Sequence, residues 1–209
     1  MKLIFALALA ASPVNERYQD CVTLVQADLE IGRIAAQQWV GDGGGAMALH
    51  CLARADAAAG FPKLAATRLE DIAERKDAGD ALERARILSQ AAEAWLDAGN
   101  VHNAANANER AFALAPDSGE LHIVAAKIFE SKGSPLEVIK SINAAEEQDL
   151  GSAAGFVARA RAYKDIGDLE ASADDIVRAL ALDPENVKAL VLRGELQQAG
   201  IVIDVNYDG

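Results

Sequence analysis

A 34-residue period limits the fold of this chain more than any other feature. The segment LSQAAEAWLDAGNVHNAANANERAFALAP, residues 88–116, aligns without gaps on FVARARAYKDIGDLEASADDIVRALALDP, residues 156–184. Trp95 then meets Tyr163, Gly99 meets Gly167, Ala104 meets Ser172, Ala111 meets Ala179 and Pro116 meets Pro184. The offset is 68, which as twice 34 predicts a third copy midway. HIVAAKIFESKGSPLEVIKSINAAEEQDL, residues 122–150, supplies it, with Ala126, Phe129, Gly133 and Ala145 in register and Leu150 in place of the closing Pro. Each copy reads as two short helical segments broken at Gly. A fixed period with two helices per unit is the mark of an array in which every unit stacks on its neighbours.

These residues resemble the tetratricopeptide repeat family. Its pattern asks for a large residue opening helix A, a small one four later, an aromatic three beyond, Gly at the turn, small residues on helix B and a closing Pro. Three units match, at 85–118, 119–152 and 153–186. Each choice has a physical cause: small residues let helices approach closely, the aromatic fills the seam between pairs, and Gly permits the turn. Asp-Pro cannot continue helix B. The resemblance implies an all-α fold, a right-handed helical solenoid.

Around these units the pattern weakens. A divergent unit is expected over 46–84, with Gly60 at the turn, Asp56 where the aromatic belongs and about five extra residues near KDAGD. Residues 12–45 read as an N-terminal helical cap that ends in glycines. Residues 187–200 make one amphipathic C-terminal capping helix carrying Leu190, Leu192 and Leu196, followed by a tail over 201–209.

The chain opens MKLIFALALAASPV, with Lys2, an apolar run and an A-x-A pattern at residues 8–10, so residues 1–11 are expected to be a short signal peptide. The run is too short to span a membrane. Periplasmic or secreted location is the reading this favours, with cytoplasmic location as the alternative. Cys21 and Cys51 fit export: an even count in an exported chain suggests a bridge, against two buried free thiols as the plainer reading.

Several chemistries lack their residues. A net charge of −12 opposes sequence-independent binding to nucleic acid. GDGGG at 41–45 lacks the Gly-Lys-Ser/Thr ending of a phosphate loop and reads as a helix stop. DVNYDG at 204–209 has the opening half of a calcium loop without its Glu. His50, His102 and His122 have no i, i+4 partner. No G-x-S-x-G element occurs, and no Cys–His pair suggests a nucleophile. Neither an enzyme, nor a metal, nor a cofactor is expected.

What remains is interaction. In the family, the A helices line an inner surface that commonly holds peptides. The positions matching that surface are Arg54, then Arg86, Gln90 and Glu93, then Val124 and Lys127, then Val157, Arg161 and Lys164, with Lys188 extending the row. One reading is solvated helix charges paired with nearby Asp and Glu. The other is a moderately basic groove that receives an acidic protein or peptide segment. The family's chaperone-binding asparagines are absent, since His50 and Arg54 stand there, so that role does not carry over. The expected function is a non-enzymatic adaptor; a self-associating structural module is the alternative.

Overall fold

The computed structural model describes residues 13–203, so the expected signal peptide at 1–11 and the calcium-like end of the tail, 204–209, lie outside the described residues. Eleven helices fill the described chain, and no strand occurs among those residues. They are α1 (Pro13–Ala27), α2 (Leu29–Gly41), α3 (Gly45–Ala58), α4 (Pro62–Ala73), α5 (Ala81–Asp97), α6 (Val101–Leu114), α7 (Gly119–Ser131), α8 (Pro135–Glu146), α9 (Ala153–Asp165), α10 (Leu169–Leu182) and α11 (Val187–Gln198). Two compact units divide the chain, the first ending at Ala98 and the second beginning at Gly99.

The turns between helices repeat one hydrogen-bond pattern. In α7 the Ser134 amide donates to the Phe129 carbonyl and Gly133 to Glu130. In α9 Asp168 donates to Tyr163 and Gly167 to Lys164, and in α3 Phe61 donates to Asp56 and Gly60 to Ala57. This arrangement satisfies the last carbonyls of a helix and needs a left-handed residue at its turn. Gly133 and Gly167 supply it, with φ of 64° and 86°; Gly60 and Gly99 do the same at 81° and 71°.

Small residues then set how close the helices come. Ala92, Ala126 and Ala160 on α5, α7 and α9, and Ala111, Ala145 and Ala179 on α6, α8 and α10, are each no more than 2% exposed. The α9–α10 contact is tight enough for the Ser172 hydroxyl to donate to the Ala160 carbonyl at 2.7 Å. Of the three seam aromatics Trp95 is buried, while Phe129 and Tyr163 are partly covered.

In the first unit α1 and α2 form a hairpin with only Asp28 between them, and Asp28 caps α2 by accepting from the Ile31 amide. A Cβ at Gly32 would lie 2.5 Å from the Val25 Cα, so only glycine allows this approach. Cys21 on α1 and Cys51 on α3 are both buried, with Cα atoms 6.3 Å apart and sulfurs at bonding distance, 1.94 Å. The extra residues before α5 have work of their own. Asp77 accepts from the Ala46 amide at 3.0 Å and so caps α3, while Arg75 grips the same carboxylate. Those contacts hold the Asp77 carboxyl down at about 2, Arg75 being the larger cause. Asp80 and Glu83 form a reciprocal capping box on α5.

Each unit also buries an ionic cluster. Asp56, in the aromatic's register, is fully buried on α3 and takes Arg33 of α2 at 3.0 Å and Arg68 of α4 at 3.1 Å. In the second unit Arg159, 4% exposed, makes two bonds of 2.7 Å to Asp175 and reaches Asn143 and Glu146. The bond to Asp175 raises the Arg159 pKa above its ordinary value against its burial. Arg178 pairs with Glu146 and lies 4.1 Å over the Phe156 ring.

The second unit is closed by α11, whose Ala189, Leu192 and Leu196 join Phe156, Ile176 and Leu180 in one core. Leu190 is only partly buried against it. The tail does more than trail away: Ile201 donates back to Leu196, and Ile203 is buried in the same core.

Two stability outcomes follow. Trp95→Ala should cost about 3–5 kcal/mol, and truncating the half-covered Phe129 or Tyr163 should cost less. Arg159→Ala removes both 2.7 Å bonds from the buried Asp175, leaving only Arg178 at 3.6 Å, and should cost about 3–5 kcal/mol. Arg68→Ala should cost less, because Arg33 still holds Asp56. Urea unfolding followed by helical circular dichroism measures all five.

Candidate functional site

The expected binding row divides between the two units. In the first, Arg54 of α3 and Arg86 and Gln90 of α5 are all exposed. Gln90 is engaged through His50, whose ring joins three helices. The Tyr18 hydroxyl of α1 lies 2.8 Å from His50 Nδ1, and Gln90 Oε1 lies 2.6 Å from Nε2. A neutral ring satisfies both partners when Nε2–H donates to Gln90 and Nδ1 accepts from Tyr18. The environment favours that form: burial lowers the His50 pKa, the Gln90 bond opposes the fall, and the Arg54 charge adds to it. Burial likewise raises Tyr18, with Arg54 acting against it. Among the described residues no group of three His, Cys, Asp or Glu could hold a metal ion.

The second unit holds Val124 and Lys127 on α7 and Val157, Arg161 and Lys164 on α9. Val124 is only 4% exposed, so it is corrected from a groove-lining residue to a packing one. Val157 is equally buried, yet it forms part of the floor of a cleft of about 370 Å³. Glu130 of α7, Arg161 of α9, Asp183 of the α10–α11 loop, and Val187 and Lys188 of α11 stand around it. A recess of about 40 Å³ continues past Glu130 and Arg161 toward Pro135.

Local chemistry fixes these walls. Pro184 ends any continuation of α10. Asn186 caps α11 by accepting from the Ala189 amide, while its own amide group donates to Asp183 at 3.0 Å. The cleft is not the basic surface the row suggested. Arg161 is paired with Glu130 at 2.6 Å, Lys164 is paired with Glu195, and Asp183 and Glu185 add acid to the rim. Sequence register missed this acidic wall, because it comes from the α10–α11 loop rather than from an A helix. The Asp-Pro-Glu-Asn run before a capping position was the available signal.

No protein-family model and no curated protein sequence matches the chain. Solved structures do. A thermophilic tetratricopeptide-repeat protein of Thermus thermophilus is 18% identical, with a TM-score of 0.62 over 90% of this chain and 100% of its own. YrrB, described as a TPR protein with an unusual peptide-binding site, is 17% identical, with a TM-score of 0.62 over 88% of this chain and 100% of its own. A tetratricopeptide repeat protein from Parabacteroides merdae ATCC 43184 is 16% identical, with a TM-score of 0.67 over 91% of this chain and 74% of its own.

The partly buried imidazoles make folding sensitive to acid. His50 and His122 are both held below their ordinary value of 6.5, each chiefly by burial. Below about pH 6.5 the unfolded chain therefore takes up protons first. Stability should be level above that pH and fall as pH drops toward the folded-state values. His50→Gln should flatten the slope, leaving the share of His122; urea midpoints measured across pH 5 to 8 check the sign.

Proposed function

The chain has the tetratricopeptide-repeat fold, and from that premise we propose that it is a non-enzymatic adaptor that holds a protein or peptide partner in the cleft on α9. The cleft itself carries the reading. It combines an apolar floor at Val157 and an apolar wall at Val187 with polar groups of both signs, which suits a segment of chain held by its side chains and backbone. That YrrB is described by its peptide-binding site supports the same use of the fold.

Preference for an acidic segment acts by exchange. An incoming carboxylate takes over Arg161 from Glu130 and meets Lys188 at the rim, while Asp183 and Glu185 repel a second acidic residue near the loop. The partner is then acidic at one position rather than throughout. In the first unit Arg54, Arg86 and Gln90 offer a separate polar face for the same partner class.

The proposed place of work is an oxidising compartment, periplasmic or extracellular. Cys21 and Cys51, paired across α1 and α3, support it, because disulfides persist where thiols are not kept reduced.

Two experiments test these readings. Arg161→Glu combined with Lys188→Glu should weaken an isolated partner peptide about tenfold, with unchanged helical content and a clear salt dependence. Affinity indifferent to the double reversal and to salt would refute the cleft. For the compartment, non-reducing peptide mapping of protein taken from the cell envelope should yield one linked fragment containing both cysteines. Two free thiols there would remove the argument for export.

A further inference from the structure

The first unit exposes large apolar side chains on helices that take no part in the α9 cleft. On α2, Ile31 and Ile34 are 55% and 49% exposed; before and within α4, Phe61 and Leu64 are 49% and 44% exposed. Each pair has i, i+3 spacing, so each lies along one side of its segment. Arg33 joins the two pairs: it neighbours Ile34 on α2, and its guanidinium lies 5.1 Å from the Phe61 ring centre. A cleft of about 480 Å³ opens alongside, lined by Leu29, Glu30, Ile34 and Gln37 of α2 and by Ala59 at the α3–α4 turn. The buried Asp56 fixes this surface, because it anchors Arg33 from α2 and Arg68 from α4 to one carboxylate.

The charges beside the two pairs differ in sign. Exposed Glu30 stands next to the α2 pair and exposed Lys63 next to the α4 pair. Arg33 and Arg68 are both tied to Asp56, so the charges left beside the two apolar pairs are the Glu30 carboxylate and the Lys63 ammonium. Such a patch pairs with a copy of itself rotated about a two-fold axis. The α2 pair of one copy then packs on the α4 pair of the other, and each Glu30 faces the partner copy's Lys63. A uniformly acidic or basic partner would match only one edge.

We propose that the outer faces of α2 and α4 form an isologous interface with a second copy of this chain. The interface uses no residue of the α9 cleft, so substitutions test the two roles separately.

Sedimentation equilibrium of the full chain at low salt tests the interface. The wild-type chain should approach twice its monomer mass through the micromolar range. Ile34→Asp should return it to the monomer mass with unchanged helical circular dichroism. Glu30→Lys and Lys63→Glu should each weaken association about tenfold, because each places two like-charge pairs across the axis. The double exchange should restore it. Three results would overturn the proposal: a wild-type monomer at every concentration, a dimer indifferent to Ile34→Asp, or a double exchange as weak as the sum of the single ones.

Discussion

Close helix approach governs this molecule, and alanine makes it possible. Where Ala92, Ala126, Ala160, Ala111, Ala145 and Ala179 lie between helices, no side chain holds the backbones apart. The hydroxyl of Ser172 can therefore bond a carbonyl on the neighbouring helix. Such contacts gain dispersion along their length but bury little apolar area per residue. The remaining cohesion falls on a few large side chains, among them Trp95, Leu121, Ile176, Leu180 and Leu196, and on how accurately the turns return the chain. One repeated turn, closed by a left-handed glycine, provides that accuracy.

Two ionic clusters sit inside this alanine-rich packing. Burying charge is costly, and a well-packed apolar replacement is often as stable. Their value here lies in orientation. Asp56 draws α2, α3 and α4 to one carboxylate, and Arg159 draws α8, α9 and α10 to one guanidinium. A slipped helix would break several charged bonds at once, whereas one alanine face slides over another at small cost. In the first unit the same carboxylate also sets Arg33 against Phe61 on the exposed surface.

What could be read from the sequence follows this division of labour. Turn glycines and contact alanines are dictated by the backbone itself, so their period fixed helix pairs and register without coordinates. Asp56 was visible as a departure from the aromatic position, but its partners Arg33 and Arg68 lie on other helices and outside the period. Arg159 was not singled out, because the earlier copies carry Ala91 and Ala125 at that place and the period offers no counterpart to its cluster. Val124 and Val157 were assigned to the groove because they match the family's groove-facing positions. Register gives direction, whereas burial depends on what the neighbouring helices bring. The cleft's acid comes from the α10–α11 loop, and its charge balance could not be read from A helices.

The proposed site is thus a junction between a repeated element and the last helix of the described residues. Helix α9 presents the Val157 floor, and α11, which has no following partner helix among the described residues, leaves its first turn open beside it. The inward return of Ile201 and Ile203 covers the core in place of a further helix, so Val187 and Lys188 stay accessible. Site-specific photo-crosslinking tests the central claim most directly, with a photoreactive residue at exposed Ala154 in the cleft and another at exposed Asp174 on α10. The account predicts a crosslinked partner chain from Ala154 and none from Asp174. Crosslinking from Asp174 alone, or equally from both, would contradict it.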